Sequence, residues 1–279
     1  LPIYDVVRAI EREKVMSVTV VGDSMARPLL DAIRMCSADV SSLLVVANGG
    51  ALLTPYVKQQ IVETLPGAMV IDGVGSSETG AQMRHMSTSG AVSTGTFAGG
   101  PDTCVVAEDL GAVLQPGHDG LGWLGQRGYV PLGYKGDATK TAATFPVIDG
   151  ARFAVPGDRA RHLDDGSIEL LGRDSVTINS GGEKIFAEEV ESAIASHPAV
   201  HDVVVTGRPS ERWGQEVVAV VALADGAAAT ADELIRHAES SIARYKLPKA
   251  VVFRPNIERS PAGKADYRWA REQAVSETS

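Results

Sequence analysis

The apolar positions of the first seventy residues switch repeatedly between two periods. Ile3, Val6, Val7 and Ile10 recur at helical spacing and predict a helix over 3–13. Val18-Thr-Val-Val21 is a short β-branched run stopped by Gly22-Asp23, which reads as a strand. Helical spacing returns from Met25 to Met35. A buried-type strand, Ser42 to Ala47, then stops at Asn48-Gly49-Gly50. Leu53 to Leu65 reads as a helix with Pro55 near its start, and Ala68-Met-Val-Ile-Asp72 as a strand ending at Gly73. Strand, helix, strand with short connections implies parallel pairing and α/β architecture. Ligands of such sheets sit beyond the carboxyl ends of strands, where both Gly-rich turns fall.

From about 84 to 157 the pattern changes. Gly and Pro are frequent, helical periodicity is poor, and short segments such as Cys104-Val-Val-Ala107 alternate with turns, which predicts β-rich structure packed on the α/β part. The C-terminal stretch differs again. Val200–Val205, Val217–Leu223 and Ala250–Phe253 are strand candidates, and Ala187–His197 is a helix ended by Pro198. Thr230-Ala-Asp-Glu233 fits a capping box that opens a helix with Leu234, Ala238 and Ile242 on one face. The fold class expected is α/β plus α+β. Residues 1–172 would form the larger domain and 173–279 a compact second one, with the boundary at Gly172-Arg173-Asp174.

Composition narrows the function. A net charge of −9 argues against nucleic acid as the main partner, because phosphate backbones call for a basic face. Cys36 and Cys104 make no CxxC pair and no disulfide framework, so free thiols in a reducing cytoplasm are expected. The apolar runs are too short to span a membrane, and no secretory signal opens the chain. Its first residues read like a helix entry in mid-fold, which suggests a truncated or processed chain.

Three segments carry candidate chemistry. Gly73-Val-Gly-Ser-Ser-Glu-Thr-Gly80 follows a strand. Its small residues, Gly75 and Ser76 among them, can bring backbone N–H groups close to phosphate, Ser76 and Ser77 add hydroxyl donors, and Glu78 offers a hard oxygen ligand suited to Mg²⁺. The dinucleotide-binding fingerprint fails here for want of its third glycine. Asp158, in a Pro-Gly-Asp turn, can accept two ribose hydroxyls, and Arg173 brings a planar donor fork that suits phosphate or ribose oxygens. Lys264, in Ser260-Pro-Ala-Gly-Lys264, can be presented into a cleft as a point charge. Gly22-Asp-Ser24 after a strand suits a serine esterase, but that chemistry needs a histidine base oriented by an acid, and none of the six histidines has an Asp three residues before it.

Taken together the residues resemble the adenylate-forming superfamily, specifically the acyl-CoA synthetases, or AMP-binding ligases. Asn48-Gly-Gly-Ala-Leu-Leu53 resembles the family's adenine-contacting segment, Val74-Gly-Ser-Ser-Glu78 its Tyr-Gly-x-Thr-Glu motif, and Gly133-Tyr-Lys-Gly-Asp-Ala-Thr-Lys-Thr-Ala-Ala-Thr-Phe145 its GYYNxPEATAxxF stretch. Gly157-Asp158 and Gly172-Arg173 resemble the ribose and hinge-side motifs. Ser180-Gly-Gly-Glu-Lys184, Arg244-Tyr-Lys-Leu-Pro248 and Ser260-Pro-Ala-Gly-Lys264 resemble those of the small C-terminal domain. Val21–Pro28 and Arg173–Lys184 look most like actinobacterial enzymes acting on fatty or steroid side-chain acids.

The resemblance implies a two-step reaction with ATP, Mg²⁺ and coenzyme A, a soluble cytoplasmic enzyme, and a possible homodimer. Lys264 would bridge the carboxylate and the α-phosphate, Glu78 hold Mg²⁺, Ser77 touch phosphate, and Asp158 the ribose. Gly49, Gly50 and Ala51 would approach adenine. For the second step a mobile small domain would turn about a hinge near 173–175, withdrawing Lys264 and bringing Gly181 and Gly182 to the pantetheine channel. Three departures stand out. Val74 occupies the place of an aromatic residue that stacks on adenine. Ser175 takes the usual hinge place, with Asp174 one earlier. The Ser/Thr-Gly-rich phosphate loop with its Lys is absent; Thr88–Gly95 imitates it, but follows Glu78 and lacks the Pro-Lys ending. The chain therefore resembles the C-terminal portion of a longer enzyme and is expected to have little activity alone. The alternative is a degenerate homologue that binds a nucleotide or partner without catalysis.

Overall fold

A computed structural model describes residues 2–92 and 95–276. Ser93 and Thr94, in the phosphate-loop imitation set aside above, lie outside the described residues, as does Leu1. The chain forms two compact units. One comprises Leu1–Val70, Ser87–Val92 and Val176–Ser279, the other Ile71–Met86 and Ser93–Ser175. The chain thus returns from the second unit to the first at Ser87 and again at Val176.

The chain opens with α1 (Ile3–Glu13), β1 (Ser17–Val20), α2 (Asp23–Cys36), β2 (Val45–Gly49), α3 (Pro55–Thr64) and β3 (Met69–Ser76). The parallel pairing expected of a strand–helix–strand unit is present, with Ser17 beside Val45 through to Val20 beside Asn48. The predicted apolar faces meet in one core, where Val7, Ile10, Leu30, Ile33, Val57 and Ile61 pack around Val20 and Val46. α3 starts as its sequence directs, with Pro55 in the first turn and the Thr54 hydroxyl accepting from the Val57 N–H.

The second unit holds the β-rich stretch. Its elements are β4 (Gly80–Ser87), β5 (Thr96–Gly99), β6 (Thr103–Ala107), β7 (Val113–Leu114), β8 (Gly122–Arg127), α4 (Ala138–Thr144), β9 (Val147–Ile148), β10 (Ala151–Ala154), β11 (Asp158–His162) and β12 (Ile168–Arg173). The strands pair antiparallel in the order β4-β5-β12-β11-β8-β10-β9, with β6 between β8 and β7. Phe97, Val105, Leu124, Ala160 and Ile168 form the core beneath them.

After Ser175 come β13 (Ile178–Ser180), β14 (Glu183–Ile185), α5 (Ala187–Ala195), β15 (Val200–Ser210), β16 (Gly214–Leu223), α6 (Ala231–Glu239), β17 (Ala250–Phe253) and α7 (Tyr267–Ser276). This is the α+β body expected from the pattern. The sheet runs β14-β13-β16-β15, with β17 parallel to β16. α5 and α6 bury Val190, Ile194, Leu234 and Ala238 against one face of β15 and β16. α7 covers the other face with Ala270 and Ala274, against Val204, Val218, Val220 and Val252. Within the same unit, the Arg27 guanidinium donates to the Ala195 carbonyl at 2.9 Å, tying α2 to the end of α5.

Candidate functional site

In the first unit, two Gly-rich turns and the C-terminal lysine loop meet. Asn48, buried at the end of β2, accepts from the Gly22 N–H at 2.8 Å and donates to the Ala51 carbonyl at 3.0 Å. The Asp23 N–H donates to the Leu52 carbonyl at 3.1 Å, so the turn at 22 and the turn at 49–51 are zipped together. Gly22 is obligatory: its φ is +66°, and a Cβ there would lie 2.6 Å from the Leu52 carbonyl oxygen. Asp23, the middle residue of the discarded esterase motif, is buried beneath the turn and accepts both the backbone N–H and the hydroxyl of Thr54. Burial raises its carboxyl above the usual range, with Arg27 opposing. The Ser24 hydroxyl donates to the Val21 carbonyl.

The lysine loop lies on this pair of turns. A Cβ at Gly263 would be 3.3 Å from a Val21 methyl, and one at Gly50 would be 3.6 Å from Lys264 Cε. The predicted lysine and the predicted Gly49-Gly50-Ala51 segment are therefore neighbours, although 214 positions separate Gly50 from Lys264. The Lys264 side chain is exposed.

In the second unit, Glu78 sits in the tight turn from β3 to β4. A Cβ at Gly75 would lie 2.2 Å from the Gly80 carbonyl oxygen, so the turn demands glycine there. Ser76 was expected to offer donors to phosphate, but its groups are engaged within the turn. Its N–H donates to the Thr79 hydroxyl at 3.0 Å, and its own hydroxyl accepts from the Glu78 N–H at 3.2 Å. Ser77 is exposed. Val74 packs into the core with Met83 and Phe97, so its side chain serves the core.

A residue that the sequence reading passed over completes this arrangement. The Tyr134 hydroxyl donates to Glu78 Oε1 at 2.5 Å, and the Lys140 ammonium lies 4.1 Å from the centre of the Tyr134 ring. The Tyr134 hydrogen bond holds the Glu78 carboxyl below the usual carboxylate range, so it is ionised at neutral pH. The signal in the sequence is the phenol of Tyr134 within Gly133-Tyr134-Lys135. Among the described residues no group of three or more His, Cys, Asp or Glu could hold a metal ion. One carboxylate suits a cation that keeps most of its waters and is otherwise held by substrate phosphates, as Mg²⁺ is.

Asp158 and Arg173 face each other across β11 and β12, with Arg173 Nε 3.1 Å from Asp158 Oδ1. Asp158, predicted for the ribose, and the hinge-side Arg173 are therefore paired. Gly181 and Gly182 form the turn of the β13–β14 hairpin, with φ of +60° and +91°. The Trp213 carbonyl accepts from the Gly181 N–H at 2.8 Å, and a Cβ at Gly181 would meet the Trp213 ring at 3.0 Å.

Residues 189–264 match the sequence profile of the AMP-binding enzyme C-terminal domain. The chain is also 80% identical over 272 residues to a medium-chain acyl-CoA ligase, Mig, of Mycobacterium avium, covering 98% of this chain and 50% of that protein. Residues 189–264 are thus similar to the C-terminal domain of AMP-binding enzymes, and the chain as a whole is similar to part of an acyl-CoA ligase. It is similar as well to a 3-oxocholest-4-en-26-oate–CoA ligase of Rhodococcus rhodochrous, 45% identical over 97% of this chain and 50% of that protein. It spans about half the length of these curated relatives. Among solved structures, the amide bond synthetase McbA of Marinactinospora thermotolerans shares the fold, with a TM-score of 0.83 over 98% of this chain and 55% of that one, at 24% identity. Both named relatives are ligases.

Proposed function

We propose that this chain supplies the adenine-side turn, the metal carboxylate and the adenylation lysine of an AMP-forming acyl-CoA ligase acting on a fatty or steroid side-chain acid. The observation that supports this reading is the meeting of Lys264 with the Gly49-Gly50-Ala51 turn, which brings a cation to the point where the motif order requires one. In the first step a carboxylate oxygen attacks the α-phosphorus of ATP. The new acyl–phosphate bond forms as the α–β bridge breaks and pyrophosphate leaves. Lys264 stabilises the charge that develops on the attacking carboxylate and the α-phosphate oxygens. Glu78, held ionised by Tyr134, would hold Mg²⁺, which would neutralise charge on the substrate phosphates. Asp158 accepts the ribose hydroxyls. In the second step the thiol of coenzyme A attacks the acyl carbon and AMP leaves, with Gly181 and Gly182 lining the pantetheine path. That exchange calls for Lys264 to withdraw, and we assign 1–172 and 173–279 to the larger and the mobile domain, hinged near 173–175. The two cysteines are free, which accords with a cytoplasmic enzyme.

Alone, the chain lacks the family's phosphate loop and is expected to be inactive. Joined to the N-terminal half of the Mycobacterium avium relative, it should form acyl-CoA from a medium-chain acid, ATP and coenzyme A. In that joined enzyme Lys264→Ala should lower acid-dependent pyrophosphate–ATP exchange by roughly 100-fold or more, the size of effect seen when one transition-state charge contact is removed. Thioester formation from preformed acyl-adenylate should change little. Equal loss of both half-reactions would refute the role given to Lys264.

A further inference from the structure

The lysine loop is stiff by construction, and most of its stiffness converges on one side chain. Gly263 takes a φ of +80°, its N–H donating to the Ser260 carbonyl at 2.8 Å. The Ser260 N–H donates to the Lys264 carbonyl at 2.8 Å, and the Lys264 N–H donates to the Ser260 hydroxyl at 3.2 Å. Arg259 forms an antiparallel bridge to Ala265 at the base of this turn.

The turn is fastened to the sheet through the Arg259 guanidinium. Nε and Nη2 donate to the two carboxylate oxygens of Asp202 at 2.8 and 2.6 Å, a bidentate pair with side chains only 18% and 11% exposed. The remaining Nη1 donates at 3.2 Å to the carbonyl of Gly263, the residue before Lys264. Asp202 is itself fixed on β15, accepting from the Val203 N–H at 2.8 Å. The planar fork therefore reads a carboxylate on the sheet and a carbonyl in the loop at once. An ammonium on a flexible stem cannot reproduce that geometry.

We propose that Arg259, anchored by Asp202, is a positioning residue that sets the direction of Lys264 for the adenylation step. The proposal rests on the reading of Lys264 given above. Its effect on adenylation passes through the loop that carries Lys264, because the Arg259 guanidinium bonds the Gly263 carbonyl and Asp202. A displacement of about 1 Å in a reacting group costs on the order of 100-fold in rate, and a loosened loop displaces the ammonium by such amounts.

The test uses the joined ligase with Arg259→Lys and Asp202→Asn, each alone and combined with Lys264→Ala. Pyrophosphate–ATP exchange should fall roughly 30-fold in each single variant, and thioester formation from preformed acyl-adenylate should stay within about 3-fold. Neither substitution should lower exchange further once Lys264 is alanine, since residues that act as one unit are non-additive. Amide hydrogen exchange should quicken at 260–265 in Arg259→Lys while β15 and β16 keep their protection. That readout applies even where the asparagine variant folds poorly. Unchanged pyrophosphate exchange in Arg259→Lys, losses that add to that of Lys264→Ala, or a parallel fall in both half-reactions would each overturn the positioning role. If Lys264→Ala itself leaves pyrophosphate exchange intact, the assignment of the lysine fails instead, and that result is separate from any effect of Arg259.

Discussion

Glu191 shows how one side chain can set the pH response of the C-terminal body. It stands on α5, buried, with one carboxyl oxygen accepting from the Val205 N–H at 2.9 Å. Burial, then the nearby charge of Glu188, pushes its carboxyl from 4.5 up to about 8. Asp202, Arg259 and Tyr267 are the other charged or titratable groups that act on it, and Tyr267 also hydrogen-bonds to it. The folded value is raised, so the folded chain holds this proton where the unfolded chain has released it. Stability from this group is therefore full below pH 4.5 and falls as the pH climbs toward about 8. Each unit of difference is worth about 1.4 kcal/mol. Urea unfolding at a series of pH values should show that decline, and Glu191→Gln should flatten it. An unchanged slope in the glutamine variant would mean that Glu191 is already ionised in the folded protein.

At the scale of elements, the capping box of α6 can be tested directly. The Glu233 N–H donates to the Thr230 hydroxyl at 3.3 Å, and the Glu233 carboxylate accepts from the Thr230 N–H at 2.8 Å. Thr230→Ala should cost about 1 kcal/mol. Hydrogen exchange should show reduced protection in the first turn of α6, with α5 unaffected. That helix was legible because a local rule and an apolar face, Leu234 with Ala238, agree. α7 was not legible. Tyr-Arg-Trp-Ala-Arg-Glu-Gln-Ala-Val-Ser presents mostly polar residues, and its buried positions are the alanines 270 and 274, too small to mark a period. The first strand of the long hairpin was read as ending at Val205 but runs to Ser210. Its last pairs, Arg208 with Glu216 and Pro209 with Gln215, are held by cross-strand register and not by an apolar run. The glycines at 75, 181 and 182 were legible as turns because their backbone conformations or close approaches exclude a side chain. The bond from Tyr134 to Glu78 crosses 56 positions, and no local pattern announces such a contact.

At the scale of the molecule, the candidate groups are shared between two compact units. Gly49–Ala51, Gly181, Gly182 and Lys264 belong to one, and Ser76–Glu78, Asp158 and Arg173 to the other. The motif order made this inventory legible, whereas the placement of residues 1–70 with 176–279 in one unit depends on long-range packing such as Arg27 to Ala195. Neither set makes a strong triphosphate site. The Ser76 and Glu78 N–H groups are spent within their turn, Arg173 is paired with Asp158, and the chain carries a net charge of −9. A polyanion would also meet a repelling net field. Titration calorimetry of the chain alone with Mg·ATP should therefore detect no binding tighter than about 100 µM, equivalent to roughly −5.5 kcal/mol. Joining the N-terminal half of the relative should tighten the dissociation constant by at least ~10-fold, worth about 1.4 kcal/mol of added phosphate contacts. A micromolar constant for the isolated chain would show that these two units hold the triphosphate unaided. The assignment of phosphate binding to the other half of the enzyme would then fall.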